Sequence, residues 1–157
     1  MTVETGQKVE DFTLQNNKGE KVSLSDYKGK NVVLYFYPKD DTPGCTTEAC
    51  DFRDNYESFQ DVNAVILGVS PDSEESHKKF IDKHDLPFEL LVDEDKEVAE
   101  QFGVWQLKNK FGKEYMGIVR STFIIDQEGV LQKEFRNVQV KGHVDDALQY
   151  IREELNK

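Results

Sequence analysis

Two apolar runs set the frame of the chain. Residues 32–37 and 64–69 are short, nearly unbroken stretches of Val, Ile, Leu and aromatic residues, the pattern of strands buried on both faces. Between them the period changes. Cys45, Ala49, Phe52, Tyr56 and Phe59 recur at spacings of 4, 3, 4 and 3, which is one stripe of a helix facing a core. Thr42 is a good N-cap for that helix, Pro43 then takes the first helical position, and Cys45 becomes the third residue of the first turn. Ser70-Pro71-Asp72-Ser73 ends the second strand and opens a helix over about residues 73–84, with His77, Phe80, Ile81 and His84 on one face. Residues 86–92 contain a short strand, and Asp95 can cap a helix that packs Val98, Ala99 and Phe102 before Gly103 ends it. This alternation of strand and helix is the rhythm of βαβ units.

The ends of the chain read differently. Residues 12–14 and 22–24 flank Gln15-Asn16-Asn17-Lys18-Gly19, a small hairpin, and residues 25–29 form one helical turn closed by Gly29. Residues 104–119 carry Trp105, Phe111, Tyr115 and Met116 among lysines and predict a hairpin or loop crossing one end of the sheet. A structural flap and an apolar substrate entrance both fit that segment. Arg120 precedes a strand at 121–126, which turns at Gln127-Glu128-Gly129 into another at 130–135. Val144, Ala147, Leu148, Ile151 and Leu155 then share one stripe of a closing helix, with Asp145 and Asp146 in its first turn and Lys157 at its end. The expected fold class is α/β: a central mixed sheet with buried strands, helices on both faces and an N-terminal hairpin extension.

Composition narrows the class of molecule. With 157 residues and 37% hydrophobic content, residues 1–157 are most simply one domain. The net charge of −11, from 31 acids against 20 bases, argues against nucleic acid or an anionic membrane as partner. No basic-then-apolar leader opens the sequence, and no apolar run approaches a membrane span. Two close cysteines without an export signal point to the cytoplasm and to redox chemistry. Their spacing is not the short zinc pattern, and the three histidines lie far from them, so no metal site is expected.

Cys45 carries two readings. At a helix N-terminus, unpaired N–H groups and the positive end of the macrodipole favour thiolate over thiol, as a nucleophile requires. It also continues an apolar stripe, where a cysteine is a small buried hydrophobe. Cys50 bears on the choice. On an ideal helix the pair lie about 140° apart around the axis, with Cα atoms about 8.7 Å apart. A disulfide needs about 7 Å or less, so they bond only if the first turns unwind. Either Cys50 resolves an oxidised Cys45 after local opening, or it is unrelated to it. Arg120 likewise either serves the site or pairs with a surface carboxylate.

Pro38, Thr42 and Cys45 stand in a Pro-x-x-x-Thr-x-x-Cys pattern that resembles the peroxiredoxins. TPGCTTEAC and the later GVWQLKNKFGKEYMGIVRSTFIID are similar to the bacterioferritin-comigratory, or peroxiredoxin Q, branch, and the spacing of elements matches along nearly the whole chain. The resemblance implies a thioredoxin-like fold and a thiol peroxidase without metal or organic cofactor. By it, Cys45 would be the peroxidatic cysteine and Cys50 the resolving one. Thr42 would hydrogen-bond the thiolate and peroxide through its hydroxyl, Pro38 would shield the pocket from water, and Arg120 would stabilise thiolate and polarised peroxide. It further implies hydrogen peroxide and organic hydroperoxides as substrates, thioredoxin or glutaredoxin as reductant, and a monomer. The Gly-Gly-Leu-Gly and C-terminal Tyr-Phe elements of other branches are missing from the sequence, so resistance to over-oxidation is expected.

Overall fold

β3 (Asn31–Phe36) is buried along its whole length and lies in the interior of the sheet. It runs parallel to β4 (Ala64–Ser70) on one side and antiparallel to β8 (Ser121–Ile125) on the other. With β5 (Glu89–Val92), β9 (Leu131–Phe135), β1 (Thr13–Asn16) and β2 (Lys21–Ser23) it forms a seven-stranded mixed sheet in the order β2-β1-β5-β4-β3-β8-β9. The computed structural model describes residues 3–155, so Lys157, expected at the end of the last helix, lies outside the described residues.

Strand alternation divides the core in two, as period 2 requires. Val33, Tyr35 and Tyr37 face α1 (Pro43–Asp54), α2 (Tyr56–Asp61), α3 (Glu74–His84) and α5 (His143–Tyr150), with Ala49, Phe52, Phe59, Phe80 and Ala147 packed among them. Val32, Leu34 and Phe36 face α4 (Glu97–Gln101) and the N-terminal segment, beside Phe12, Phe102 and Phe123. Helices therefore cover both faces. The N-terminal hairpin extends the sheet through β1, which pairs antiparallel with β5. Its turn is held by Asn16, whose Oδ1 accepts from the N–H groups of Lys18 and Glu20.

Residues 104–119 form a hairpin of their own, β6 (Trp105–Lys110) with β7 (Lys113–Ile118), separate from the large sheet. Two expectations need correcting. Asp93, not Asp95, caps α4: the turn over Lys96, at φ 60°, folds back so that the Asp93 carboxylate accepts from the N–H groups of Val98 and Ala99. The helix carrying Cys45 also does not run unbroken to Phe59. It ends before Asn55, whose side-chain amide donates to the Asp51 carbonyl and takes the acceptor its own backbone N–H would use. After α5, a π-helical turn, Ile151–Leu155, finishes the described chain.

Candidate active site

The carboxyl end of β3 delivers residues 38–42 to the N-terminus of α1, and this loop is fastened on two successive aspartates. Asp40 Oδ1 accepts from Tyr37 Oη at 2.5 Å, Asp40 Oδ2 accepts from Ser76 Oγ at 2.7 Å, and the Asp40 N–H donates to Asp72 Oδ2 at 2.8 Å. His77 Nδ1 lies 2.7 Å from the same Asp40 Oδ2, and its Nε2 lies 2.8 Å from the Leu91 carbonyl. A carbonyl can only accept, so the hydrogen of that contact is carried by Nε2. His77 is therefore an interior fastener with no exposure. Asp41 is exposed, and its carboxylate is held by Lys83 at 2.8 Å and His84 at 3.1 Å, hydrogen bonds that draw it below its ordinary range.

Pro43 occupies the first position of α1 and Thr42 its N-cap, so Cys45 sits in the first turn, whose N–H groups have no intrahelical acceptor. Cys45 is buried. Arg120 reaches it from the neighbouring strand: β8 starts opposite the end of β3, with Ser121 paired to Phe36, which sets the preceding residue beside the loop. Arg120 Nη2 donates to Cys45 Sγ at 3.2 Å and Nη1 to Glu48 Oε1 at 2.7 Å. A Cβ at Gly44 would meet Arg120 Nη2 at 3.1 Å, so glycine between Pro43 and Cys45 leaves the guanidinium its place.

Glu48 was not anticipated from the sequence. It is wholly buried, one helical turn beyond Cys45, and burial pushes its carboxyl up to about 7 although the Arg120 charge pulls it down. Its Oε2 and the Tyr35 hydroxyl are buried with no hydrogen-bond partner among the described residues. Burial also opposes the Arg120 charge, but Glu48 and Cys45 outweigh that and raise it. Lys108 of β6 lies within the same electrostatic field, lowered by burial and by Arg120 and raised by Cys45.

The other expected residues are distributed around this centre. The Thr42 hydroxyl donates to the Lys39 carbonyl at 2.9 Å, so its proton is committed to the loop and its lone pairs remain. Pro38 is half-buried in the approach to the helix. Cys50 lies partly buried in the intact α1, and both thiols are free. Behind the site, buried His143 lies 2.7 Å from Thr122 Oγ1, and burial lowers it to about 4. Among the described residues, the one cluster with metal-ligand spacing is Asp40, Asp72 and His77, whose candidate atoms lie within 4.8 Å of one another. Those of Asp40 and Asp72 already serve the hydrogen bonds that fasten the loop, and a metal ion would displace them.

Known proteins resemble the chain along nearly its whole length. Residues 5–134 match the AhpC/TSA family. The chain is 65% identical over 153 residues to peroxiredoxin Bcp of Bacillus subtilis, covering 98% of each, and 43% identical over 142 residues to peroxiredoxin Bcp of Escherichia coli, covering 90% of this chain and 91% of that one. Its fold superposes on a peroxiredoxin Q of Xylella fastidiosa with a TM-score of 0.94 at 33% identity over 99% of both chains. The bacterioferritin comigratory protein of Xanthomonas campestris gives 0.87 at 40% identity over 90% of both. The seven-stranded sheet with helices on both faces is the thioredoxin-like fold of these proteins, and the chain belongs to the AhpC/TSA family as a peroxiredoxin of the bacterioferritin-comigratory, or peroxiredoxin Q, branch.

Proposed function

We propose that this thiol-dependent peroxidase works through Cys45 as nucleophile and Cys50 as resolving thiol, within a single domain. The observation that carries the reading is the Arg120 guanidinium, placed 3.2 Å from Cys45 Sγ by one arm and locked to buried Glu48 by the other. The Cys45 thiolate attacks the terminal oxygen of ROOH, the S–O bond forms as the O–O bond breaks, and negative charge moves onto the departing RO⁻. Arg120 and the first-turn N–H groups follow that charge without reorganising. Thr42 Oγ1, its own proton given to Lys39, accepts from the peroxide O–H, and Pro38 keeps water from the approach.

RO⁻ takes up a proton and leaves as ROH, and Cys45 is left as a sulfenic acid. The Cys50 thiol then attacks that sulfur, expelling water and forming a Cys45–Cys50 disulfide. In the intact helix their Cα atoms are about 8.7 Å apart, so α1 opens before this step. A protein dithiol, thioredoxin or glutaredoxin, returns both thiols by exchange and leaves as its own disulfide. No metal or organic cofactor enters the scheme. Alkyl peroxide reduction is described for the Xanthomonas campestris relative, which supports organic hydroperoxides beside hydrogen peroxide as substrates here. A cytoplasmic monomer suits a reaction completed within one chain and recycled by those donors.

Stopped-flow peroxide consumption tests the assignment. Reduced wild-type protein is expected to consume peroxide rapidly and to sustain NADPH oxidation with thioredoxin and its reductase. Cys50→Ser should consume one equivalent and stop at sulfenic acid under that donor. Sustained turnover by Cys50→Ser with thioredoxin would remove Cys50 from the cycle, and peroxide consumption by Cys45→Ser would remove Cys45.

A further inference from the structure

The large apolar side chains that stand exposed among the described residues, Leu107, Phe111, Tyr115 and Met116, all belong to the β6–β7 hairpin. They are not scattered surface residues of the common kind. Leu107 and Met116 face each other across the two strands, Tyr115 pairs with Lys108, and Phe111 forms the tip at 95% exposure. Phe111 and Gly112 make a two-residue turn with φ of 53° and 80°. Gly-like backbone at a bulky aromatic costs free energy, and the ring reaches no core in return. Folding alone does not account for a phenylalanine there.

Charge singles out the same hairpin. β6 and β7 hold three lysines, Lys108, Lys110 and Lys113, against one acid, Glu114, on a chain whose net charge is −11. The hairpin also rises from the rim of the active site. Ile118 ends it two residues before Arg120, and the Lys108 ammonium donates to the Ile118 carbonyl at 2.7 Å. A partner seated on the hairpin is thereby held next to the helix that carries both cysteines.

Resting on the recycling step proposed above, we propose that the β6–β7 hairpin is the docking surface for the protein dithiol that reduces the Cys45–Cys50 disulfide, a partner with an apolar patch beside its reactive cysteine and carboxylates around it. Two other occupants fit less well. In a symmetric contact with a second copy, the same patch meets itself and the lysines of one hairpin face those of the other. An anionic membrane would attract the hairpin but repel the acidic body behind it. A reductant with carboxylates around an apolar patch matches both the apolar residues and the lysines, and it is the partner that must come to this rim in every cycle.

The test uses the full-length protein with a bacterial thioredoxin, thioredoxin reductase and NADPH, and two variants outside the catalytic machinery. They are Leu107→Ser with Phe111→Ser, and the charge reversal Lys110→Glu with Lys113→Glu. Each is expected to raise the KM for thioredoxin about tenfold, the scale of losing a central contact residue. The peroxide rate constant, kcat at saturating thioredoxin and turnover supported by dithiothreitol should stay at wild-type values. An unchanged KM in the charge-reversal protein, with its peroxide step intact, overturns the inference. So does wild-type self-association in sedimentation, or wild-type retention on phosphatidylglycerol vesicles, that both variants abolish. Wild-type protein that turns over with dithiothreitol but with neither thioredoxin nor glutaredoxin would instead overturn the recycling step itself.

Discussion

Glu48 gives the stability of this protein a specific dependence on pH. Its ordinary titration near 4.5 is moved to about 7 by burial, with Arg120 opposing the move. Between those values the unfolded chain has released this proton and the folded chain has kept it, so stability falls as pH rises. Above 7 the deficit is constant. At about 1.4 kcal/mol per pH unit, the folded protein loses about 1 kcal/mol by pH 5 and about 3 kcal/mol by pH 8 relative to strong acid. His143 acts in the opposite sense: lowered from 6.5 to about 4, it resists protonation when folded, so its contribution is present above 6.5 and is lost as pH falls to 4. Over the window they share the two slopes oppose each other. Glu48→Gln removes one of them. In a Cys45→Ser background, where no thiol titrates beside Arg120, urea unfolding of the Glu48→Gln variant and of its parent should diverge by about 2 kcal/mol between pH 5 and pH 8 in favour of the variant. With an m-value of about 2 kcal/mol/M that is about 1 M in relative midpoint. A midpoint difference that is the same at both pH values would show that Glu48 ionises as freely in the folded protein as in the unfolded chain, and the reasoning would fail.

Two further outcomes probe the reacting centre. Arg120→Ala removes a hydrogen bond to a charged group worth about 1.5–3 kcal/mol, so the second-order rate with peroxide should fall about tenfold to a hundredfold. An unchanged stopped-flow rate would leave Arg120 as a structural partner of Glu48 alone. Thr42→Val should slow the same step about tenfold, the scale of one lost hydrogen bond, while Thr42→Ser keeps most of the rate. Equal loss in both would assign the effect to the side chain's shape rather than its oxygen.

The sequence was most legible where local and tertiary signals agree. Apolar residues 32–37, Thr42, Pro43 and the stripe from Cys45 all describe one strand–loop–helix unit, and the structure contains it. It was least legible where a polar residue owes its position to a distant partner. A glutamate on a helix reads as solvated surface, and Glu48 is buried because Arg120, 72 positions later, arrives just before an adjacent strand. His77 is interior because Asp40 and the Leu91 carbonyl take both ring nitrogens. The Asp95 assignment failed for a related reason: cap spacing assumes an ordinary entry to the helix, and the left-handed Lys96 bends the chain so that an earlier aspartate reaches the same N–H groups.

These polar contacts also bound the motion that the proposed cycle requires. For Cys45 to meet Cys50, α1 has to open from its N-terminus, yet the loop before it is fixed by Asp40 to Tyr37, Ser76 and His77. Beyond the cysteines, Phe52 is fully buried and stacks on Tyr35 with ring centroids 4.7 Å apart, against Phe59 and Phe88. Opening is therefore confined to the turns from Thr42 to Glu48, about two turns of helix. Within that stretch the closing contact is Arg120, bridging Cys45 and Glu48. While Cys45 is a thiolate the contact joins opposite charges; once it is a sulfenic acid the sulfur is neutral, the ion pair is gone, and only a hydrogen bond from the guanidinium remains. In the proposed cycle, oxidation of Cys45 thus loosens the contact that holds the helix shut, while the fastened loop and aromatic stack hold the rest of the fold.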